Sequence, residues 1–236
     1  IAGGQCAFDI RDVTREEIPP LDGFAGVIVT GSASAAYRQE PWMARLAAFL
    51  ANLNDHGTPV LGVCFGAQML AHARGGRVIL NPQGWEIGGV TIEAAHAASS
   101  DPLFSGLPPV FGALATHEDR IEAPPAAAVT LAGNTQTPIQ AFRIGSRLWG
   151  IQFHPEATRE LLSNLILLRA DQLTRDAVAH GMQAGGHVTR LLDSLRPGQV
   201  DQGRVVLDNF ISYCLRENSE VLRHSPPAAP PAQPPV

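Results

Sequence analysis

The sequence predicts an α/β fold: an open, mostly parallel sheet with helices on both faces, extended at its C-terminal end by further helices. Three observations predict it. Gly26-Val27-Ile28-Val29-Thr30 and Pro59-Val60-Leu61-Gly62-Val63 are continuously apolar runs, the pattern of strands covered on both faces. A helical pattern lies between them. From Thr158 onward helical periodicity dominates.

Taken in order, Ala7 to Val13 alternates in polarity and reads as a strand near a sheet edge. After the run at 26–30, Trp42, Leu46, Phe49 and Leu50 recur at helical spacing between Pro41 and Asn54, and Pro41 suits a helix start. Residues 26–63 therefore form a β-α-β unit. Gly66 to Arg74 reads as a helix stopped by Gly75-Gly76. Strand patterns follow at Val90–Glu93, Val129–Ala132, Ile139–Arg143 and Leu148–Phe153, with a hairpin turn at Gly145-Ser146. Leu161, Leu162, Leu165, Ile166 and Leu168 form one apolar helix face, expected to pack on the sheet or on a second subunit. Val205 to Leu215 reads as a closing helix. Residues 1–224 make one domain, with 157–224 its helical part. Residues 225–236 form a Pro/Ala-rich tail, expected to be extended or disordered.

Composition narrows the function classes. At 236 residues, 45% hydrophobic and 17% charged, the chain can bury a core. The net charge of −5 and the lack of a basic patch argue against nucleic acid. Cys6, Cys64 and Cys214 show neither a CxxC pair nor zinc-ligand spacing, so no metal site is expected. A reduced, cytoplasmic protein fits this usage. No apolar run approaches the roughly 20 residues of a membrane helix, no signal segment opens the chain, and no G-x-x-x-x-G-K-[ST] sequence occurs. No cofactor is implied.

Two motifs carry chemistry. Gly62-Val63-Cys64-Phe65-Gly66 follows an apolar strand and opens a helix, a thiol counterpart of the G-x-S-x-G nucleophile elbow. Cys64 would stand at the C-terminal edge of the sheet, at a helix N-terminus that favours a thiolate. The bland alternative is a buried core cysteine. Gln152-Phe153-His154-Pro155-Glu156 ends a strong strand. Pro155 biases His154 toward extended backbone, so Glu156 falls on the same side and can fix the imidazole tautomer. His154 then serves as general base and acid for Cys64. A lone strand-end histidine would be unremarkable; the pairing with the elbow singles it out. His56, His72, His96, His180, His187 and His224 have no such partner pattern.

These residues carry a family resemblance. Gly62-Val63-Cys64-Phe65-Gly66-Ala67-Gln68 and Gly150-Ile151-Gln152-Phe153-His154-Pro155-Glu156 resemble the signatures of class I glutamine amidotransferases, nearest to the amidotransferase domain of GMP synthase and its stand-alone relatives, over roughly residues 7–170. The resemblance implies a flavodoxin-like architecture and a Cys64–His154–Glu156 triad. It implies an oxyanion hole from the N–H groups of Gly31 and Phe65, and substrate contacts from Gln68 and from Thr116 and His117 in Thr116-His117-Glu118-Asp119. Glu86, in Gly84-Trp85-Glu86-Ile87-Gly88, resembles another recurring segment and is expected near the site. The chain departs from GMP synthase-like members at Ala67, where they commonly carry His. The strand and helix with which the family begins are not found before residue 7, and are expected ahead of Ile1.

The leading expectation is thiol-dependent hydrolysis of the glutamine side-chain amide, with ammonia passing to a separate synthetase or transferase. A γ-glutamyl peptide or conjugate hydrolase keeps the triad and changes the leaving group. A regulatory or binding module without turnover is the third reading.

Overall fold

The computed structural model describes residues 6–38, 40–198 and 200–224, with 218–224 described by backbone alone. The Pro/Ala-rich tail lies outside the described residues, as does the opening strand that the resemblance implies. The fold is α/β. One seven-stranded sheet has the order β1-β2-β9-β8-β7-β4-β5. β1 (Val27–Val29), β2 (Val60–Val63) and β9 (Leu148–Ile151) pair in parallel. Beyond β9, the ladders through β8 (Ala141–Ile144), β7 (Ala128–Gly133), β4 (Glu86–Ala94) and β5 (Val110–His117) are antiparallel. β3 (Arg77–Leu80) and β6 (Asp119–Ala123) form a separate two-stranded sheet.

Helices cover both faces. α1 (Pro41–Ala51) and α2 (Phe65–Ala73) bury Met43, Leu46, Leu50, Met69 and Leu70 against Val60, Phe142 and Leu148. On the other face, α6 (Arg204–His224) and two short 3-10 turns at His96–Ser100 and Pro102–Phe104 pack on Leu61, Val63, Trp149 and Ile151. Trp149 is fully buried, meets Phe210 and Tyr213 edge-on, and donates from Nε1 to Asp101 Oδ1 at 3.2 Å. A third cluster joins α3 (Arg159–Leu168), α4 (Ala170–Ala179) and α5 (His187–Ser194) to Trp85, Ile87 and Leu114. No helix among the described residues is long and apolar enough to cross a membrane.

Three expectations need correction. Ala7–Val13 is not a strand: Phe8 and Ile10 are 64% and 88% exposed. Its polar groups bond locally instead, with Arg11 on Asp9, and Asp12 Oδ1 accepting from the Thr14 N–H and hydroxyl. Alternation without a neighbouring ladder does not make a strand. The leucines of α3 do not share one buried face: Leu162 and Ile166 are buried, while Leu161 and Leu168 are 59% and 83% exposed. Finally, α1 ends at Ala51 rather than Asn54.

Candidate active site

Cys64 sits between the last residue of β2 and the first of α2. Its φ of 50° and ψ of −106° make it the one non-glycine residue at positive φ among the described residues. Such a conformation costs about 1–3 kcal/mol and persists only where the surroundings enforce it. They do. The Cys64 N–H donates to Ile151 O at 2.8 Å, and its carbonyl accepts from the Gln68 N–H at 3.0 Å. The flanking glycines allow the close approach: a Cβ on Gly62 would lie 2.6 Å from the Ala67 nitrogen, and one on Gly66 would lie 2.0 Å from Val29 O. The elbow is therefore specified by Gly62 and Gly66, and it leaves Sγ at the positive end of the α2 dipole.

His154 lies just beyond β9, its N–H donating to Leu114 O at 2.7 Å. Pro155 and Glu156 form a turn rather than continuing the strand. Glu156 still reaches back: its Oε1 is 2.7 Å from His154 Nδ1. This leaves Nε2, which is buried and makes no full-geometry hydrogen bond. Burial pushes the imidazole down. Hydrogen bonding and negative charge from Cys64 and Glu156 outweigh it and raise the His154 pKa to about 10. With Nδ1 held by Glu156, Nε2 is the ring nitrogen left to exchange a proton with a neighbouring group.

Gly31 follows β1 and lines the same space: a Cβ there would be 3.0 Å from His154 Cε1 and 3.7 Å from Cys64 Cβ. Phe65 opens α2, so its N–H is among the first-turn donors that have no intrahelical acceptor. Thr116 presents its carbonyl 3.9 Å from Sγ. Cys64, His154, Glu156, Gly31, Phe65 and Thr116 are therefore gathered in one place.

Gln68 and His117 lie deeper. Gln68 is 3% exposed, and its Nε2 donates to Asp119 O at 3.0 Å and to Gln152 Oε1 at 3.2 Å. Its amide N–H groups serve the protein's own framework. The His117 Nδ1 is 2.8 Å from Asp119 O, and its Nε2 is 2.9 Å from Glu86 Oε2. Glu86 also accepts from Asn134, Thr137 and Gln140. Burial pushes its carboxyl up, yet the bonds and charge from His117 and the bonds from Thr137 and Asn134 prevail, holding it below the usual carboxylate value.

Sequence reasoning gave no role to Gln152 or Tyr37. Gln152, inside the second motif, places Nε2 3.5 Å from Cys64 Sγ. Its position two residues before His154 was the available signal. Asp119 contributes a backbone carbonyl, which no side-chain pattern announces. Tyr37, on the loop after β1, donates to Asp119 Oδ1 at 3.0 Å and ties that loop across to the β5–β6 corner. No group of His, Cys, Asp and Glu among the described residues has the form of a metal site.

The family profile described as glutamine amidotransferase class-I matches residues 5–168. The chain is 29% identical over 164 residues to gamma-glutamyl peptidase 5 of Arabidopsis thaliana, covering 67% of this chain and 65% of that one. It is 34% identical over 158 residues to the glutamine-hydrolyzing GMP synthase of Thermosipho melanesiensis, covering 66% of this chain and 28% of that one. It thus spans just under two thirds of the first relative and about a quarter of the second. In fold it is similar to a glutamine amido transferase from Methylobacillus flagellatus, with a TM-score of 0.74 at 24% identity, over 90% of this chain and 86% of that one.

Proposed function

The chain belongs to the class-I glutamine amidotransferase family, and from that membership we propose that it hydrolyses the side-chain amide of glutamine through a γ-glutamyl thioester on Cys64. The observation that carries this reading is the pairing of a strained elbow cysteine with an imidazole whose other nitrogen is held by Glu156.

In this reading the Cys64 thiolate attacks the γ-carbonyl carbon. Charge develops on the carbonyl oxygen, where the N–H groups of Gly31 and Phe65 receive it. The His154 imidazolium gives its Nε2 proton to the amide nitrogen as the C–N bond breaks, and ammonia leaves. His154, now neutral, takes a proton from water, which attacks the thioester carbonyl. The C–S bond breaks, glutamate departs, and the thiolate–imidazolium pair returns. Glutamine and water become glutamate and ammonia. Glu156 holds the ring in the tautomer this exchange needs. The ammonia passes to a synthetase partner, a role supported by the similarity to GMP synthases.

A second substrate class has specific support. The peptidase relative is matched over 65% of its length, and a γ-glutamyl peptide differs from glutamine only in its leaving amine. One experiment separates the readings: glutamate release from glutamine and from γ-glutamyl dipeptides, with the protein as it is and with Cys64→Ala. Cys64-dependent release from glutamine supports the amidohydrolase. Release from the dipeptides alone moves the assignment to a γ-glutamyl peptidase. Cys64-independent release, or none in the presence of a synthetase partner, overturns both.

A further inference from the structure

The nucleophile has a polar neighbour besides His154. Gln152 is 1% exposed, and its Nε2 lies 3.5 Å from Cys64 Sγ. An amide can be flipped without changing its shape, so which end faces the sulfur must be argued from its partners. Here the partners decide it. Asp119 O is a carbonyl and can only accept, so the group that approaches it at 3.0 Å is the NH2 of Gln68. The second hydrogen of that NH2 points to Gln152 at 3.2 Å, which must therefore offer its oxygen. The NH2 of Gln152 is left facing Sγ.

The anchor of this chain lies one step further in. Asp119 O also accepts from His117 Nδ1 at 2.8 Å, so Nδ1 carries a hydrogen. The Glu86 carboxylate receives donors from Asn134 at 2.7 Å, Thr137 at 2.7 Å and Gln140 at 2.8 Å, the pattern of an ionised acceptor. His117 Nε2 stands 2.9 Å from it, with side chains 1% and 4% exposed. The two side chains therefore form a close buried contact, in which Nε2 makes no aligned hydrogen bond.

We infer that Gln152 donates a hydrogen bond to the reacting sulfur of Cys64, and that the buried Glu86–His117 contact, acting through Asp119 O and Gln68, fixes that donor in its aim. Sγ then has three polar neighbours: the Thr116 carbonyl at 3.9 Å, His154, which exchanges a proton with it, and Gln152, which gives up no proton and strengthens its bond as negative charge gathers on sulfur. Glu86 and His117 are positioning residues. The same donor remains at the sulfur when it becomes the leaving group of the thioester.

The inference rests on Cys64 being the nucleophile, so its test must separate the two. The readouts are alkylation of Cys64 by iodoacetamide and the ultraviolet absorbance of its thiolate, each taken as the difference from Cys64→Ala, which removes the signals of Cys6 and Cys214. Neither readout needs the right substrate. Rapid Cys64 alkylation in the unaltered protein supports the nucleophile; its absence overturns that premise alone. Gln152→Met keeps the volume and removes the donor. It is expected to slow alkylation on the order of tenfold or more, since a hydrogen bond to a charged group is lost, and to reduce the thiolate absorbance at an unchanged thermal midpoint. Gln152→Glu keeps the acceptor for Gln68 and turns the donor into a second acceptor. It decides the matter if Gln152→Met fails to fold, and alkylation should fall at least as far. Glu86→Gln, with Gln152 in place, is expected to lower both readouts by a smaller factor. A folded Gln152 variant with unchanged alkylation and absorbance overturns the donor; a folded Glu86→Gln with both unchanged overturns the anchoring pair.

Discussion

The two halves of the large sheet border the same sulfur and are built on opposite principles. The parallel half, β1, β2 and β9, delivers Gly31, Cys64 and His154 from strand ends through tight turns, one of them at a φ of 50°. The Glu156 side chain that steadies His154 is 51% exposed. The antiparallel half contributes little that reacts. Its β4 and β5 present Glu86 and His117, and the segment entering β8 presents Gln140, all buried, with His117 and Gln140 both against the Glu86 carboxylate. Groups that make and break bonds must be reachable and able to change protonation. Groups that aim them must do neither. The difference teaches where to look for each: the first at strained turns, the second in buried polar clusters beneath them.

The comparison can be broken at several points. Cys64→Ala should lower glutamate release on the order of 10⁴-fold or more while leaving the thermal midpoint nearly unchanged, because only the reacting atom is lost. Trp149→Ala removes a fully buried ring on a strand that belongs to both halves. Denaturant titration should show a loss of about 3–5 kcal/mol. Gly66→Ala places a Cβ 2.0 Å from Val29 O, a backbone atom that cannot yield. The expected loss is about 3 kcal/mol, read in the same titration, with reduced alkylation of Cys64. Glu156→Gln keeps the shape and removes the charge. Turnover should fall about 10²-fold, and the NMR titration of His154 should move below about 10, since Glu156 is one of the groups that raise it.

A pH series sharpens the contrast. The His154 pKa rises on folding from 6.5 to about 10, so the fold favours the protonated ring. That stabilisation is complete below pH 6.5 and is lost as pH climbs toward about 10. The thermal midpoint of the unaltered protein, measured against His154→Gln, should fall across that window. A constant difference would mean that the imidazole is not held charged.

The parallel half was legible because its physics is local. Gly62 and Gly66 around Cys64 announce a close turn, and the apolar runs at 26–30 and 59–63 announce buried strands. The triad geometry followed from Pro155 and a spacing of two, although Glu156 arrives by a turn. The antiparallel half was far less legible. β5 reads Val-Phe-Gly-Ala-Leu-Ala-Thr-His, with small residues of low strand preference, and is made a strand by its full-length ladder to β4. β3, Arg-Val-Ile-Leu, and β6 are short, and each is a strand only through its pairing with the other, some forty residues away. Phe8 and Ile10 gave the opposite error, since their alternation has no ladder to join. Gln152 was quoted within a motif yet given no role, because its side-chain partners, Gln68 and Cys64, lie far away in the sequence. Long-range hydrogen bonds leave no mark on local pattern.

Glycines 31, 62 and 66 carry a consequence for sequence drift and for laboratory selection. A methyl group at any of them would strike His154, the Ala67 backbone or Val29 O. At Gly62 and Gly66 the obstacle is backbone at 2.6 and 2.0 Å, so a random mutation there has no neutral alternative; at Gly31 it is the His154 ring at 3.0 Å, which would have to give way. Libraries seeking a new leaving group should keep these three constant and spend their diversity on the exposed part of the loop from Ser32 to Tyr37, whose far end is tied to Asp119 by the hydroxyl of Tyr37.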